Sequence, residues 1–259
     1  MTNTTDAIHT DNLGKRYGKR TVVENVSLRV PRGTFYAFLG PNGAGKSTVI
    51  RCLTGLIAPS EGRATVAGCD VSSDPVTLKA RIGIVSEDIA LYEKLGAGEF
   101  LEWAGQMRGL TRSESARRTA ELLTLLDLSA DADRLIAEYS LGMKKKTALA
   151  FALLHAPAVL FLDEPFNGVD ALSVRTLCAV LTELTRNRGI TVFFTSHVLE
   201  TVERLADRAA VIRNGAIIAE GNLSELMTNA SGASLEETFA ALIGATAKPD
   251  LSPKSLDWF

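Results

Sequence analysis

A chain of 259 residues, 46% of them hydrophobic, can bury a full core, either as one large domain or as a core with an inserted subdomain. A formal net charge of -2 and a pI near 6.0 exclude a global basic field, so charge-driven affinity for nucleic acid is not expected. No apolar run is long enough to span a bilayer, the first ten residues lack the basic and apolar regions of a signal peptide, and Cys52, Cys69 and Cys178 make neither a disulfide framework nor a zinc pattern. A reduced cytosol, with the three cysteines as small buried hydrophobes, is the expected setting.

Taken in chain order, strands are predicted at 22–30 and 34–39. Residues 40–48 then read GPNGAGKST, which fits Gly-x-x-x-x-Gly-Lys-[Ser/Thr] at a point where a strand should hand over to a helix. This is the pattern of a nucleotide phosphate cradle built from Gly40, Pro41, Asn42, Gly43, Ala44, Gly45, Lys46, Ser47 and Thr48. Gly43 and Gly45 let the backbone approach the phosphates, and the helix points free N–H groups at the anion. Lys46 is expected to reach the β- and γ-phosphates, and the Ser47 hydroxyl to ligate Mg²⁺.

Further strands are predicted at 64–66 and 81–85, after which the strand signal stops between Leu91 and Tyr139. Helical patterns replace it: Thr111-Arg112-Ser113-Glu114 fits a capping box, and Ala116, Ala120, Leu123 and Leu126 mark one helix face. Ser140 and Gly142 stand at the start of the next helix, where they suit a second anion contact. The Lys144-Lys145-Lys146 run that follows is read as a solvated face. Residues 148–162 are predicted as a buried helix followed by a buried strand, with His155 as a C-terminal cap or packing residue.

That strand ends in Asp163 and Glu164. Acids at the carboxyl end of a buried strand lie where ligands of open α/β sheets bind, so Asp163 is expected to hold Mg²⁺ through water and Glu164 to orient or deprotonate the attacking water. Val174, Leu177, Cys178, Leu181 and Leu184 mark a crossover helix, strands follow at 192–195 and 209–212, and Asn214-Gly215 signals a hairpin. The fold class is α/β with a partly parallel sheet, as one domain over 1–245 with a helical subdomain at about 90–140; residues 246–259 lack periodicity and are expected to form a mobile tail.

The order of cradle, helical insert, Ser-x-Gly helix start, Asp-Glu strand and Thr195-Ser196-His197 resembles the ATP-binding subunit of an ATP-binding-cassette (ABC) transporter across residues 8–222. The resemblance implies a P-loop NTPase core with an antiparallel β subdomain, and an ATPase that uses ATP and Mg²⁺. It implies that Tyr17 stacks on adenine and that His197 contacts the γ-phosphate. Glu87 takes the place of a glutamine that touches Mg²⁺ and attacking water and senses the membrane partner. Ser140 and Gly142 cover the nucleotide of an opposite cassette, and Asn167-Gly168-Val169-Asp170 links the two sites across a dimer. The implied catalytic set is thus Glu164, His197 and Glu87, and the implied metal set Ser47, Glu87 and Asp163. The implied partners are a separate transmembrane permease and a second cassette, identical or related, at the cytoplasmic face of the cell membrane.

There are three departures from the family pattern: Glu87 for Gln, Leu141 for the first signature Gly, and Asn167-Gly168 before Asp170. The first two, with Tyr139-Ser140-Leu141-Gly142-Met143-Lys144 and the segment 234–239, are similar to bacterial export-type ATPases, so transport outward is expected. Leu91, Tyr92, Leu95, Phe100 and Trp103 are expected to wall a groove for a cytoplasmic helix of the membrane chain. The alternative is a soluble ABC-type ATPase not coupled to transport. Chromosome-maintenance types need a long coiled coil in place of the short insert, translation types carry two cassettes, and a non-hydrolysing regulatory module would lack Glu164 or His197. His9 is given no role.

Overall fold

The computed structural model describes residues 6–229 and 234–244, so the predicted tail at 246–259 lies outside the described residues. The chain opens with β1 (Asp6–Tyr17), β2 (Arg20–Val26), β3 (Arg29–Pro31) and β4 (Phe35–Leu39). Sequence reading missed β1 and joined β2 to β3. In β1 a left-handed Asn12 (φ 49°) and register shifts around Leu13 and Lys15 break the period-2 pattern that identifies a strand. The apparent strand 22–30 is interrupted at Ser27-Leu28, where Thr10 accepts the Leu28 N–H at 2.8 Å and donates to the Val26 carbonyl at 2.9 Å.

The cradle loop leads into α1 (Lys46–Leu53), followed by β5 (Glu61–Val66), β6 (Cys69–Asp70), α2 (Pro75–Arg81) and β7 (Ile82–Val85). The insert is helical as predicted, with α3 (Ala97–Met107) and α4 (Arg112–Leu125). Thr111 caps α4 by accepting from the Glu114 N–H at 3.2 Å, but the Glu114 carboxylate pairs with Arg117 and Arg118 instead of closing the box. The buried face of α4 is Ser115, Thr119 and Leu123; of the predicted stripe Leu123 and Leu126 are buried and Ala116 is half-buried, while Ala120 is exposed because the small Ser115 lets α3 approach through Gly105.

Beyond the insert run α5 (Leu141–Leu153), β8 (Val159–Leu162), α6 (Ala171–Arg188), β9 (Thr191–Thr195), α7 (Leu199–Leu205), β10 (Arg208–Arg213), β11 (Ala216–Asn222), α8 (Leu223–Asn229) and α9 (Leu235–Leu242). One sheet has the order β11-β10-β4-β9-β8-β7, parallel throughout except for the β10-β11 hairpin. Its turn is Asn214-Gly215, both left-handed (φ 50° and 84°), as an Asn-Gly hairpin requires. Strands β4, β8 and β9 are buried along their whole length. Alternate residues of β4 face opposite sides: Tyr36 and Phe38 join a core with α1 and the antiparallel sheet of β2, β1, β5, β6 and β3, while Phe35, Ala37 and Leu39 join a core with α5, α6 and the helical insert. All three cysteines are free and buried.

Candidate functional site

The sheet order decides the site. β9 lies between β4, which feeds the cradle, and β8, which ends in the acids, so the carboxyl ends of three adjacent strands converge on one point. There a cavity of about 600 Å³ is lined by Asn42, Gly43, Gly45, Lys46, Ser47 and Thr48 from the cradle, by Glu87, Asp163, Glu164 and His197, and by Tyr17. The segments that sequence reading identified separately thus meet in one place. Gly40, Pro41 and Ala44 shape the loop from behind and do not line it. A Cβ on Gly40 would stand 2.4 Å from the Ile212 carbonyl, and one on Gly45 (φ 107°) 2.9 Å from the Val22 carbonyl. At Gly43 (φ 78°) the space on the cavity side is open, as close approach of a phosphate needs. Lys46 is buried, its ammonium donating to the Gly40 carbonyl at 2.8 Å.

Opposite the cradle, Thr195 Oγ1 donates to Asp163 Oδ1 at 2.6 Å and accepts the Glu164 N–H at 3.0 Å. Glu164 is 7% exposed and left-handed (φ 49°), a conformation that costs a non-glycine residue about 1–3 kcal/mol and persists only where the surroundings hold it. Its Oε2 accepts from the His197 backbone N–H at 3.2 Å and lies 2.9 Å from His197 Nδ1. His197 is therefore seated against the proposed base.

The lysine run is not a solvated face. Lys145 and Lys146 are 3% and 5% exposed, and Lys144 pairs with Glu93 at 2.5 Å. Burial pushes the Lys145 ammonium below its ordinary range, while the carboxylates of Glu87, Asp163, Glu164 and Asp88 pull the other way. The reason is tertiary: α5 turns Lys145 and Lys146 inward, and sets Lys145 against the acids.

Ser140 and Gly142 do not line the cavity. Ser140 caps α5, accepting from the Met143 N–H at 3.3 Å, and a Cβ on Gly142 would stand 2.4 Å from Ser173 Oγ, so within its own chain this glycine lets α5 meet the start of α6. Of the five proposed groove residues, Phe100 is buried and Leu91 and Leu95 pack on the core; Tyr92 and Trp103 remain 59% and 42% exposed, edge to face with centroids 5.0 Å apart. His155 is a packing residue, with Nε2 2.8 Å from the Ile82 carbonyl. Sequence reading missed Arg20, Val22 and Arg51 as lining residues. Tyr17 and Arg20 face each other across a two-residue turn whose Gly18 is left-handed (φ 58°), and that turn was the signal for Arg20.

No helix among the described residues is long and apolar enough to cross a membrane. A family model described as ABC transporter matches residues 23–167. The chain is 39% identical over 225 residues to the linearmycin resistance ATP-binding protein LnrL of Bacillus subtilis (strain 168), covering 87% of this chain and 72% of that one. It is 37% identical over 268 residues to the daunorubicin/doxorubicin resistance ATP-binding protein DrrA of Streptomyces peucetius, covering 98% and 81%. A solved ATP binding subunit of an ABC transporter superposes with a TM-score of 0.83 at 32% identity, over 91% of this chain and 99% of that one. The P-loop α/β fold expected from the motifs is the fold observed, and the chain belongs to the ABC transporter family.

Proposed function

We propose that this chain binds and hydrolyses ATP with Mg²⁺ and drives transport, outward in direction, through a separate membrane-spanning partner at the cytoplasmic face of the membrane. The observation that carries the reading is the single cavity uniting the phosphate cradle with Asp163, Glu164 and His197. Its volume suits a nucleoside triphosphate held with the base towards Tyr17 and the γ-phosphate between Lys46 and Glu164. Ser47, Asp163 and Glu87 bring oxygen donors to that end, and Thr195 occupies one Asp163 oxygen while leaving it the other. Such a donor set fits Mg²⁺, which keeps several waters and takes one or two carboxylates. When bound, the ion neutralises charge on the β- and γ-phosphates.

The chain's own residues supply the rest. Lys46 leaves its loop carbonyls to neutralise the phosphates, Glu164 takes the proton of the attacking water, and His197 orients that carboxylate. A carboxylate at Glu87 still accepts a hydrogen bond from water and leaves a working site. Ser140 is exposed at the start of α5 and outside its own cavity, which supports its service to the nucleotide of a second cassette. The exposed pair Tyr92 and Trp103, with Met107 one turn further along α3, is the surface on which the membrane chain docks. The similarity to resistance ATP-binding proteins supports the outward direction.

Glu164→Gln tests the reading. Single-turnover hydrolysis should fall by about 10²- to 10⁴-fold, the contribution of a positioned general base. With ATP and Mg²⁺ the variant should shift towards a dimer in light scattering, and adding Ser140→Arg should abolish the shift. Wild-type turnover would remove Glu164 from its role, and a dimer that survives Ser140→Arg would remove the shared site.

A further inference from the structure

Lys145 has no part in the mechanism so far, yet its surroundings are specific. The side chain is 3% exposed, and its ammonium donates to the backbone carbonyl of Glu164 at 3.1 Å and to that of Glu87 at 3.4 Å. A buried ammonium is costly unless its donors are used, and these two carbonyls belong to the two acids at the γ-phosphate end of the cavity. Glu164 is held on every side: Thr195 takes its N–H, His197 its carboxylate, and Lys145 its carbonyl. The left-handed backbone that aims this carboxylate needs such holding. Lys145 is not among the residues lining the cavity, so it acts through the acids and not on the nucleotide.

We infer that Lys145 is a positioning residue for hydrolysis, tying the Glu164 backbone to that of Glu87 and so fixing both carboxylates at the γ-phosphate end. The inference rests on the ATPase reading above. It adds a route by which a second cassette is felt, since Lys145 lies little more than one helical turn from Ser140 on α5.

Lys146 provides the comparison. It is equally buried in the same helix and, among the described residues, makes no hydrogen bond to Glu87 or Glu164. ATP affinity, single-turnover rate and melting temperature should be measured for wild type, Lys145→Met, Lys145→Arg and Lys146→Met. A misplacement of about 1 Å can cost on the order of 10²-fold in rate. Lys145→Met should therefore lose roughly 10- to 100-fold in rate with ATP affinity within about two-fold of wild type. Lys145→Arg should recover most of the rate, and Lys146→Met should keep it. If Lys145→Met does not fold, Lys145→Gln, whose donor is one bond too short, takes its place with the same expectation. An unchanged rate, an equal loss of rate in Lys146→Met, or a loss of affinity that accounts for the fall would overturn the inference. A wild-type protein without hydrolysis would instead overturn the ATPase reading beneath it.

Discussion

The proposed phosphate cradle and the proposed hydrolytic corner face each other across one cavity, but they are built in opposite ways. The cradle is a single run of nine residues whose shape follows from local rules: glycines where a Cβ would strike the Ile212 or Val22 carbonyls, and a helix start immediately behind them. The corner is assembled from Asp163 and Glu164 after β8, Thr195 at the end of β9 with His197 beyond it, and Lys145 in α5, three segments that proximity in sequence does not bring together. A local site tolerates distant change and fails abruptly when its own backbone is altered. A composite site degrades by steps as each tie is cut.

The largest effect expected from a backbone change lies in the cradle. Gly45→Ala places a methyl 2.9 Å from the Val22 carbonyl at a φ of 107°. Overpacking strain of roughly 1–3 kcal/mol, carried by the loop, corresponds to about 5- to 150-fold in nucleotide affinity. Isothermal titration would check it, and wild-type affinity would show that the loop is softer than its contacts suggest.

A smaller and differently distributed effect is expected in the corner. Thr195→Val keeps the shape of the side chain but leaves the Glu164 N–H and Asp163 Oδ1 without their shared partner. Unfolding by denaturant should report about 1–3 kcal/mol of lost stability, the cost of a buried group left unpaired. Turnover should fall while ATP affinity stays near wild type. Loss of affinity without loss of rate would place Thr195 with the cradle.

The smallest effect on the free subunit is expected outside both regions. Trp103→Ser removes an exposed ring that does not line the cavity, so basal hydrolysis should change little and stability should stay within about 0.5 kcal/mol. Co-purification with the membrane partner should drop. Charge reversal at Glu93 on the same subdomain would be a less clean probe, because it would set a second ammonium beside Lys144.

The contrast also explains what could be read from the sequence. The cradle, the acid pair, the hairpin and the crossover helix were legible because each is a local pattern of spacing or turn chemistry. β1 was not, since a left-handed Asn12 and shifted register erase its alternation. Lys145 and Lys146 were misjudged for a related reason. Whether a lysine is solvated depends on what its helix packs against, and the acids that face this one come from the ends of β7 and β8.

The division of labour across the cavity is the central claim, and one paired measurement tests it: ATP affinity and single-turnover rate for Lys46→Ala beside Glu164→Gln. Lys46→Ala deletes the ammonium proposed to neutralise the phosphates and should weaken binding itself. Glu164→Gln should leave affinity nearly intact and slow turnover by about 10²- to 10⁴-fold. The same loss of affinity in both variants would contradict the account.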